Sequence, residues 1–156
     1  MKFYAVIDTN VIIAALLSKK EDTATVKILK ELAGGSIVPL YQEDILSEYQ
    51  EVLQRDKFPI ASETATAIMR IILQFGQRVI PVPSEELFPD MDDRIFYEAA
   101  LAKQTDNAYL VTGNKRHYPK QPFVVTPSEM MNIIEARKPS KEAMIHQYSL
   151  NRKSLK

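Results

Sequence analysis

The chain has 156 residues, a length that suits one compact domain. Its 20 basic and 20 acidic side chains cancel, which excludes the bulk positive charge of a protein that coats nucleic acid but leaves local patches open. Cysteine is absent, so disulfides, thiolate metal sites and cysteine nucleophiles are excluded. The sequence shows neither a secretory signal nor an apolar run near the roughly 20 residues that cross a bilayer, so we expect a soluble cytoplasmic protein.

The first half of the chain alternates between strand and helix patterns. We predict two strands and four helices in this order, at residues 2–7, 11–17, 23–33, 36–40, 42–55 and 62–74. The polar triplet Asp8-Thr9-Asn10 ends the first strand, and Gly34-Gly35 stops the second helix because glycine accepts the left-handed conformation of a helix end. Ser62 is the predicted N-cap of the fourth helix.

The second half continues the alternation. We predict a third strand, a helix and two further strands at residues 78–82, 94–103, 108–112 and 123–126. An acidic loop at 84–93 precedes the helix, and Thr126-Pro127-Ser128-Glu129 is a capping box that begins the last core helix. Strands that alternate with helices indicate an α/β fold around a mostly parallel sheet.

The end of the chain differs from the rest in charge. From Glu135 onward six basic side chains stand against two acidic ones, an excess of +4, so the preceding 134 residues carry a net −4. We therefore predict a core domain at 1–136 and a basic extension at 137–156. Within the extension we expect a short helix at 143–148 and a frayed end from Asn151.

Acidic and other polar residues follow the predicted strands, at the edge where parallel sheets bind ligands. Asp8 follows the first strand, Asp90, Asp92 and Asp93 precede the helix after the third, and Gly113-Asn114 follows the fourth. Such carboxylates repel one another, and a hard divalent cation such as Mg²⁺ or Mn²⁺ resolves the repulsion. A cation held there would orient water and stabilise charge on a phosphoryl group.

Each of these acids also has a purely structural interpretation. Asp8 is a favoured helix N-cap, and Asp93 suits the positive end of a helix dipole. Glu48 lies at the margin of the apolar face of its helix, where a carboxylate pairs with a cation or reaches solvent. Helical spacing allows either Asp92 or Asp93 to turn inward.

The combination of motifs resembles the PIN domain. It consists of Asp8-Thr9-Asn10 after the first strand, Glu48 within its helix, Asp92-Asp93 before an alanine-rich helix, and Thr112-Gly113-Asn114 followed by His117-Tyr118-Pro119. Their order and spacing over about residues 1–134 are similar to the toxin subfamily related to the VapC proteins. The resemblance implies a three-layer α/β/α sandwich and an endoribonuclease that hydrolyses RNA phosphodiester bonds with water activated by Mg²⁺ or Mn²⁺.

The resemblance also implies roles for individual residues. Asp8, Glu48 and Asp93 match the catalytic, metal-ligating acids of the family, and Thr9, Asn10 and Thr112 match the polar positions that support them. Asn114 stands where the family often has a fourth acid, so it offers an amide ligand without charge. Possible RNA contacts lie in the basic loop, at Lys115, Arg116, His117 and Lys120.

The resemblance also implies partners, while features of the residues leave other functions open. The resemblance implies a cognate antitoxin protein and a homodimer, with no membrane partner. One alternative is a catalytically weakened PIN fold that only binds RNA or protein, as Asn114 and the basic tail suggest. Another is a Mg²⁺-dependent phosphatase of the haloacid-dehalogenase type, which requires a second aspartate where this chain has Asn10.

Overall fold

A computed structural model describes residues 2–138 and 141–154 of the chain. Five strands occur in this part: β1 Phe3–Ile7, β2 Ile37–Tyr41, β3 Gln77–Arg78, β4 Tyr109–Val111 and β5 Val124–Val125. The same part contains seven helices: α1 Thr9–Leu17, α2 Ala24–Ala33, α3 Glu43–Leu53, α4 Ser62–Phe75, α5 Arg94–Leu101, α6 Pro127–Arg137 and α7 Lys141–Ser154. None of the described helices is long and apolar enough to span a membrane.

The strands form one parallel sheet in the order β3-β2-β1-β4-β5. All five residues of β2 are buried. Because successive strand residues point to opposite faces, this pattern means that helices or loops cover both faces of the sheet. The predicted α/β class is confirmed, and the sheet is parallel throughout.

The strand order creates a switch point beside β1. The chain runs from β1 to β2 and β3 on one side, then crosses back to β4 on the other side. Ile7 pairs with Val111, so the residues that follow β1 and β4 emerge next to each other. A crevice at the carboxyl ends of such diverging strands is where open α/β sheets bind ligands.

The third strand is shorter than predicted. We expected residues 78–82, but β3 spans Gln77–Arg78, and Val79 donates a last backbone hydrogen bond to Tyr41 at 2.9 Å. Pro81 and Pro83 lack the N–H group that a continuing strand needs. The chain instead turns toward α5, where the Val82 amide donates to the Glu98 carbonyl at 3.1 Å. The strand prediction was wrong beyond Arg78, because the pairing with β2 ends before the prolines that were expected to close the strand.

Several helix boundaries also differ from the prediction. Ser62 is the first helical residue of α4 and not its N-cap, because the Ala65 amide already bonds the Ala61 carbonyl at 3.1 Å. α1 begins at Thr9, two residues earlier than expected. The capping box predicted at Thr126 is present with both of its hydrogen bonds, and Gly35 (φ 82°) adopts the left-handed conformation after α2.

The basic extension is more helical than predicted. We expected a helix at 143–148 and fraying from Asn151, but α7 continues from Lys141 to Ser154. No glycine or proline interrupts this stretch, and the Gln147 amide donates to Asn151 one turn later at 3.1 Å. The last two residues of the chain lie outside the described part. The predicted boundary between the core domain (1–136) and the extension (137–156) stays a prediction.

Candidate functional site

Asp8 lies at the carboxyl end of β1 and is almost completely buried, with 7 % of its surface exposed. Its Oδ2 atom accepts hydrogen bonds from the Thr112 hydroxyl at 2.9 Å and from the Tyr118 hydroxyl at 2.8 Å. Its Oδ1 atom accepts the Asn10 amide at 3.4 Å, so the residue also caps α1. The capping interpretation is therefore correct, but it accounts for only one of the two carboxylate oxygens.

Glu48 projects from α3 toward the same end of the sheet. It is half-buried, as its place at the margin of the apolar helix face predicted, while Asp44 and Glu51 on the same helix are exposed. The Thr9 hydroxyl donates to its Oε2 atom in a short hydrogen bond of 2.5 Å. Because Thr9 follows Asp8 directly, this bond ties the second acid to the first.

Asp93 ends the 3-10 turn Met91–Asp93, whose cap is the Asp90 side chain. Its side chain is 18 % exposed, while Asp92 is exposed, so Asp93 is the acid that turns inward. Its Oδ2 atom is buried and accepts no hydrogen bond within the described residues; His117 Nδ1 lies 3.2 Å away without hydrogen-bond alignment. Burial, the charge of Asp8 and the charge of Asp90 raise the pKa of Asp93 to about 6, and His117 acts in the opposite direction.

Asn114 stands between the acids and the basic loop. Its backbone amide bonds the Thr112 hydroxyl at 3.1 Å, and its side-chain nitrogen lies 2.9 Å from His117 Nε2. In the neutral ring this contact makes Nε2 the acceptor and places the proton on Nδ1, which faces Asp93. Gly113 is held beside it by a 3.4 Å bond from its amide to Asn10 Oδ1.

Three of the basic-loop residues form a 3-10 turn, Lys115–His117. Lys115 is paired with Glu129 on α6 at 3.1 Å, so its charge is partly committed within the protein. Arg116 and Lys120 are exposed, and with Lys115 they line a cavity of about 710 Å³ on the outer side of the loop. Of the four predicted RNA contacts, His117 is therefore the one in contact with the acids.

Asp8, Glu48 and Asp93 line one cleft of about 360 Å³, together with Thr9, Asn10, Arg55 and Phe58. No three His, Asp or Glu side chains in residues 2–138 and 141–154 converge closely enough to form a metal shell by themselves. The oxygen donors still fit Mg²⁺, which typically binds through one or two carboxylates and keeps several waters. Asp93 Oδ2, which accepts no hydrogen bond among the described residues, is the atom that such a cation would satisfy.

Two residues of the site were missed at the sequence level. Tyr118 was quoted only as part of a motif, yet its buried hydroxyl contacts Asp8 across 110 residues of sequence. Arg55 lines the cleft and is paired with Glu51 one turn earlier on the helix end. The i,i+4 spacing of Glu51 and Arg55 was a readable signal, whereas no local pattern identifies the Tyr118 contact.

Comparison with known proteins identifies the family of the chain. A family profile for the PIN domain matches residues 4–116, which include the positions of Asp8, Glu48 and Asp93. Searches among curated proteins and among solved structures return no significant match. The matched segment is well over half of the 156 residues. The chain therefore belongs to the PIN domain family, whose members are generally nucleases that typically use divalent metal ions.

Proposed function

We propose that this protein is a Mg²⁺- or Mn²⁺-dependent endoribonuclease that acts as the toxin of a type II toxin–antitoxin pair. The observation that carries the proposal is the convergence of Asp8, Glu48 and Asp93 on one cleft at the switch point of the sheet. Among the described residues no lysine lines this cleft, and the arginine that does, Arg55, is paired with Glu51. The net negative charge of this lining favours a divalent cation.

The residues around the cleft have two roles, since some orient the carboxylates and others would hold the cation. Thr112 and Tyr118 hold one oxygen of Asp8, and Thr9 holds one oxygen of Glu48, so both carboxylates are oriented before any ligand arrives. Asp8, Glu48, Asp93 and the Asn114 amide would hold the cation. When bound, Mg²⁺ or Mn²⁺ lowers the pKa of water and stabilises the charge on the phosphoryl group.

We propose RNA as the substrate, held by the basic loop beside the cleft. Arg116 and Lys120 are exposed and have no hydrogen bond or ion pair among the described contacts that would commit their charge, while Lys115 must leave or share Glu129. His117 presents its ring between Asn114 and Asp93. Phosphates on either side of the scissile bond can lie along this loop, which offsets their repulsion by the acids.

The remaining partners are proposals of the same kind. The antitoxin would insert a basic side chain into the acidic cleft, because charge complementarity favours an arginine there over a neutral group. A homodimer is our default for the assembly. The antitoxin proposal rests on family membership and on the charge of the cleft, and the homodimer rests on family membership.

The direct test is RNA cleavage by purified protein with Mg²⁺ or Mn²⁺. We expect Asp8→Asn, Glu48→Gln and Asp93→Asn each to reduce the rate by at least about a hundredfold, since each removes a charge from the cation site. Asp92→Asn is the matched control, because Asp92 is exposed on the same turn and should keep wild-type activity. Equal cleavage by the wild type and by the Asp8 and Asp93 variants would indicate a contaminating nuclease and end the proposal.

The second candidate is a PIN fold that binds RNA or protein without cleaving it. Asn114 favours this reading because it brings no charge, and the carboxylates do not form a closed metal shell within the described residues. Calorimetry separates the two functions. Absence of Mn²⁺ and Mg²⁺ binding at millimolar concentration would support the binding module, and Asn114→Asp should then create a measurable affinity.

A further inference from the structure

A second cavity of about 520 Å³ opens beside the acidic cleft, between the end of α3 and the start of α4. Arg55 and Phe58 line both cavities and so form the boundary between them. We propose that this second cavity is a nucleotide subsite that takes the unpaired base next to the scissile phosphate. The inference rests on the proposed endoribonuclease and names where its substrate's base lies.

The lining of the cavity suits a nucleobase. Its volume lies within the range of about 300–1,000 Å³ that is typical of sites for small organic groups. Its lining includes apolar side chains (Leu53, Ile60), amides (Gln50, Gln54), a hydroxyl (Ser62) and one carboxylate (Asp56). A planar base needs apolar contact on its faces and hydrogen-bond partners at its edge, and this lining supplies both.

Phe58 provides an aromatic surface at the entrance. Its ring is half-buried against the core, and the turn that carries it is fixed by hydrogen bonds from its amide to the Arg55 carbonyl (3.0 Å) and from the Ile60 amide to its own carbonyl (2.8 Å). The Lys57 amine lies over this ring, 5.1 Å from its centroid, so a base that stacks on the ring would also lie near a cation. A fixed aromatic ring beside a cation is the usual platform for an unpaired base.

Arg55 supplies the charge that a phosphate needs at the edge of the cleft. It is the one cation among the described residues that line the cleft. Glu51 holds its guanidinium through two hydrogen bonds of 3.0 and 2.8 Å, and the side chain remains 43 % exposed. A guanidinium has five N–H groups, so donors remain for a phosphodiester that joins the base in the cavity to the scissile bond in the cleft.

Base stacking can be measured without cleavage. Short single-stranded RNAs carrying one 2-aminopurine, moved along the strand, are titrated with the full chain in Ca²⁺ instead of Mg²⁺. We expect the wild type to quench the fluorescence strongly at one position in the RNA. Phe58→Leu keeps the apolar bulk but should lose at least about two-thirds of this quenching, and Phe58→Trp should restore it. A wild type that quenches at no position overturns the subsite.

The kinetics test the same subsite in the cleavage reaction. We expect Phe58→Leu and Arg55→Ala each to raise KM for RNA about tenfold while kcat changes less than about threefold, because both residues bind the flanking nucleotide. Arg70→Ala is the matched control, since Arg70 is exposed on α4 and lies outside the cleft. Unchanged KM in Phe58→Leu overturns the subsite and leaves the nuclease proposal intact. If the wild type quenches at one RNA position but cleaves no RNA, the subsite is supported and the proposed nuclease activity is contradicted.

Discussion

Neutral hydroxyl groups hold the acids of the cleft. Thr112 and Tyr118 donate to Asp8, and Thr9 donates to Glu48. A hydroxyl fixes a carboxylate oxygen in place and leaves its charge unneutralised. An arginine would fix the oxygen and also neutralise the charge. The cleft therefore keeps its negative potential, and the raised pKa of Asp93 is one consequence of that potential together with burial. A cation site needs carboxylate oxygens that are held in place and whose negative charge is not neutralised by the protein.

Tyr118→Phe tests this role at the first acid. The change removes one hydroxyl and keeps the buried ring, which packs edge-on against Phe88 with centroids 6.3 Å apart. Loss of a hydrogen bond to a charged group costs about 1.5–3 kcal/mol, so we expect kcat/KM for RNA to fall about ten- to a hundredfold at limiting Mg²⁺. We also expect the Mg²⁺ concentration for half-maximal activity to rise, measured by titrating the metal into the assay.

Tyr97→Phe is the control for the loss of a buried tyrosine hydroxyl. Tyr97 is 1 % exposed, and burial together with Glu86 raises the pKa of its hydroxyl, whereas the acids of the cleft do not act on it. The two variants should have similar melting temperatures, but only Tyr118→Phe should shift the Mg²⁺ dependence. An unchanged Mg²⁺ midpoint in Tyr118→Phe would show that the hydroxyl only stabilises the fold.

Of the groups that hold the acids, Thr9 and Thr112 were expected from the family resemblance, whereas Tyr118 was not. Asp8 could be placed because it follows a strand, and Glu48 because helical spacing put it at the edge of an apolar face. The choice of Asp93 over Asp92 came from the family resemblance, and the structure agrees in turning Asp93 inward. The contact between Tyr118 and Asp8 depends on the path of a loop between β4 and β5, and no local propensity describes that path.

The capping box of the last core helix matched the prediction to the residue, whereas the predicted third strand and the helix of the extension differed from it. The capping box of α6 has a mechanism in its own residues, so its position was predicted to the residue. Residues 79–82 are apolar, but Pro81 and the following Pro83 lack N–H donors, and the backbone leaves the sheet after β3. α7 was underestimated because its exposed residues give little periodicity, although nothing in them interrupts a helix.

Thr126→Ala tests the strength of the local signal at α6. The Thr126 hydroxyl accepts a hydrogen bond from the Glu129 amide at 3.1 Å, and the Glu129 carboxylate accepts one from the Thr126 amide at 3.0 Å. Loss of such a cap costs about 1 kcal/mol, so we expect the free energy of unfolding in urea to fall by about that amount. Thr64→Ala, at an exposed position within α4, should leave stability unchanged or slightly higher. A Thr126 variant as stable as the wild type would mean that tertiary packing alone fixes α6.

The neutrality of the whole chain is an average over two unlike regions. The first 134 residues are net negative and include the acidic cleft, while the remainder is net positive and includes α7. Burial is described for residues 142–154 of α7, and all of these residues are exposed. The helix therefore adds little to the core and offers positive charge to a polyanion that approaches the negative part of the molecule.

Truncation after Lys138 separates these two contributions. The shortened chain keeps α6 complete and should unfold at the same urea midpoint, because the removed residues with described burial are all exposed. It loses four basic residues and one acidic residue, so we expect weaker binding of single-stranded RNA at low salt and convergence with the full chain at high salt. Each phosphate contact contributes roughly 0.7 to the slope of log affinity against log salt on single strands, so loss of about three contacts should reduce the slope by about 2. Parallel salt dependences for the two chains would show that α7 does not touch RNA, and the affinity would then have to come from the basic loop and the cleft.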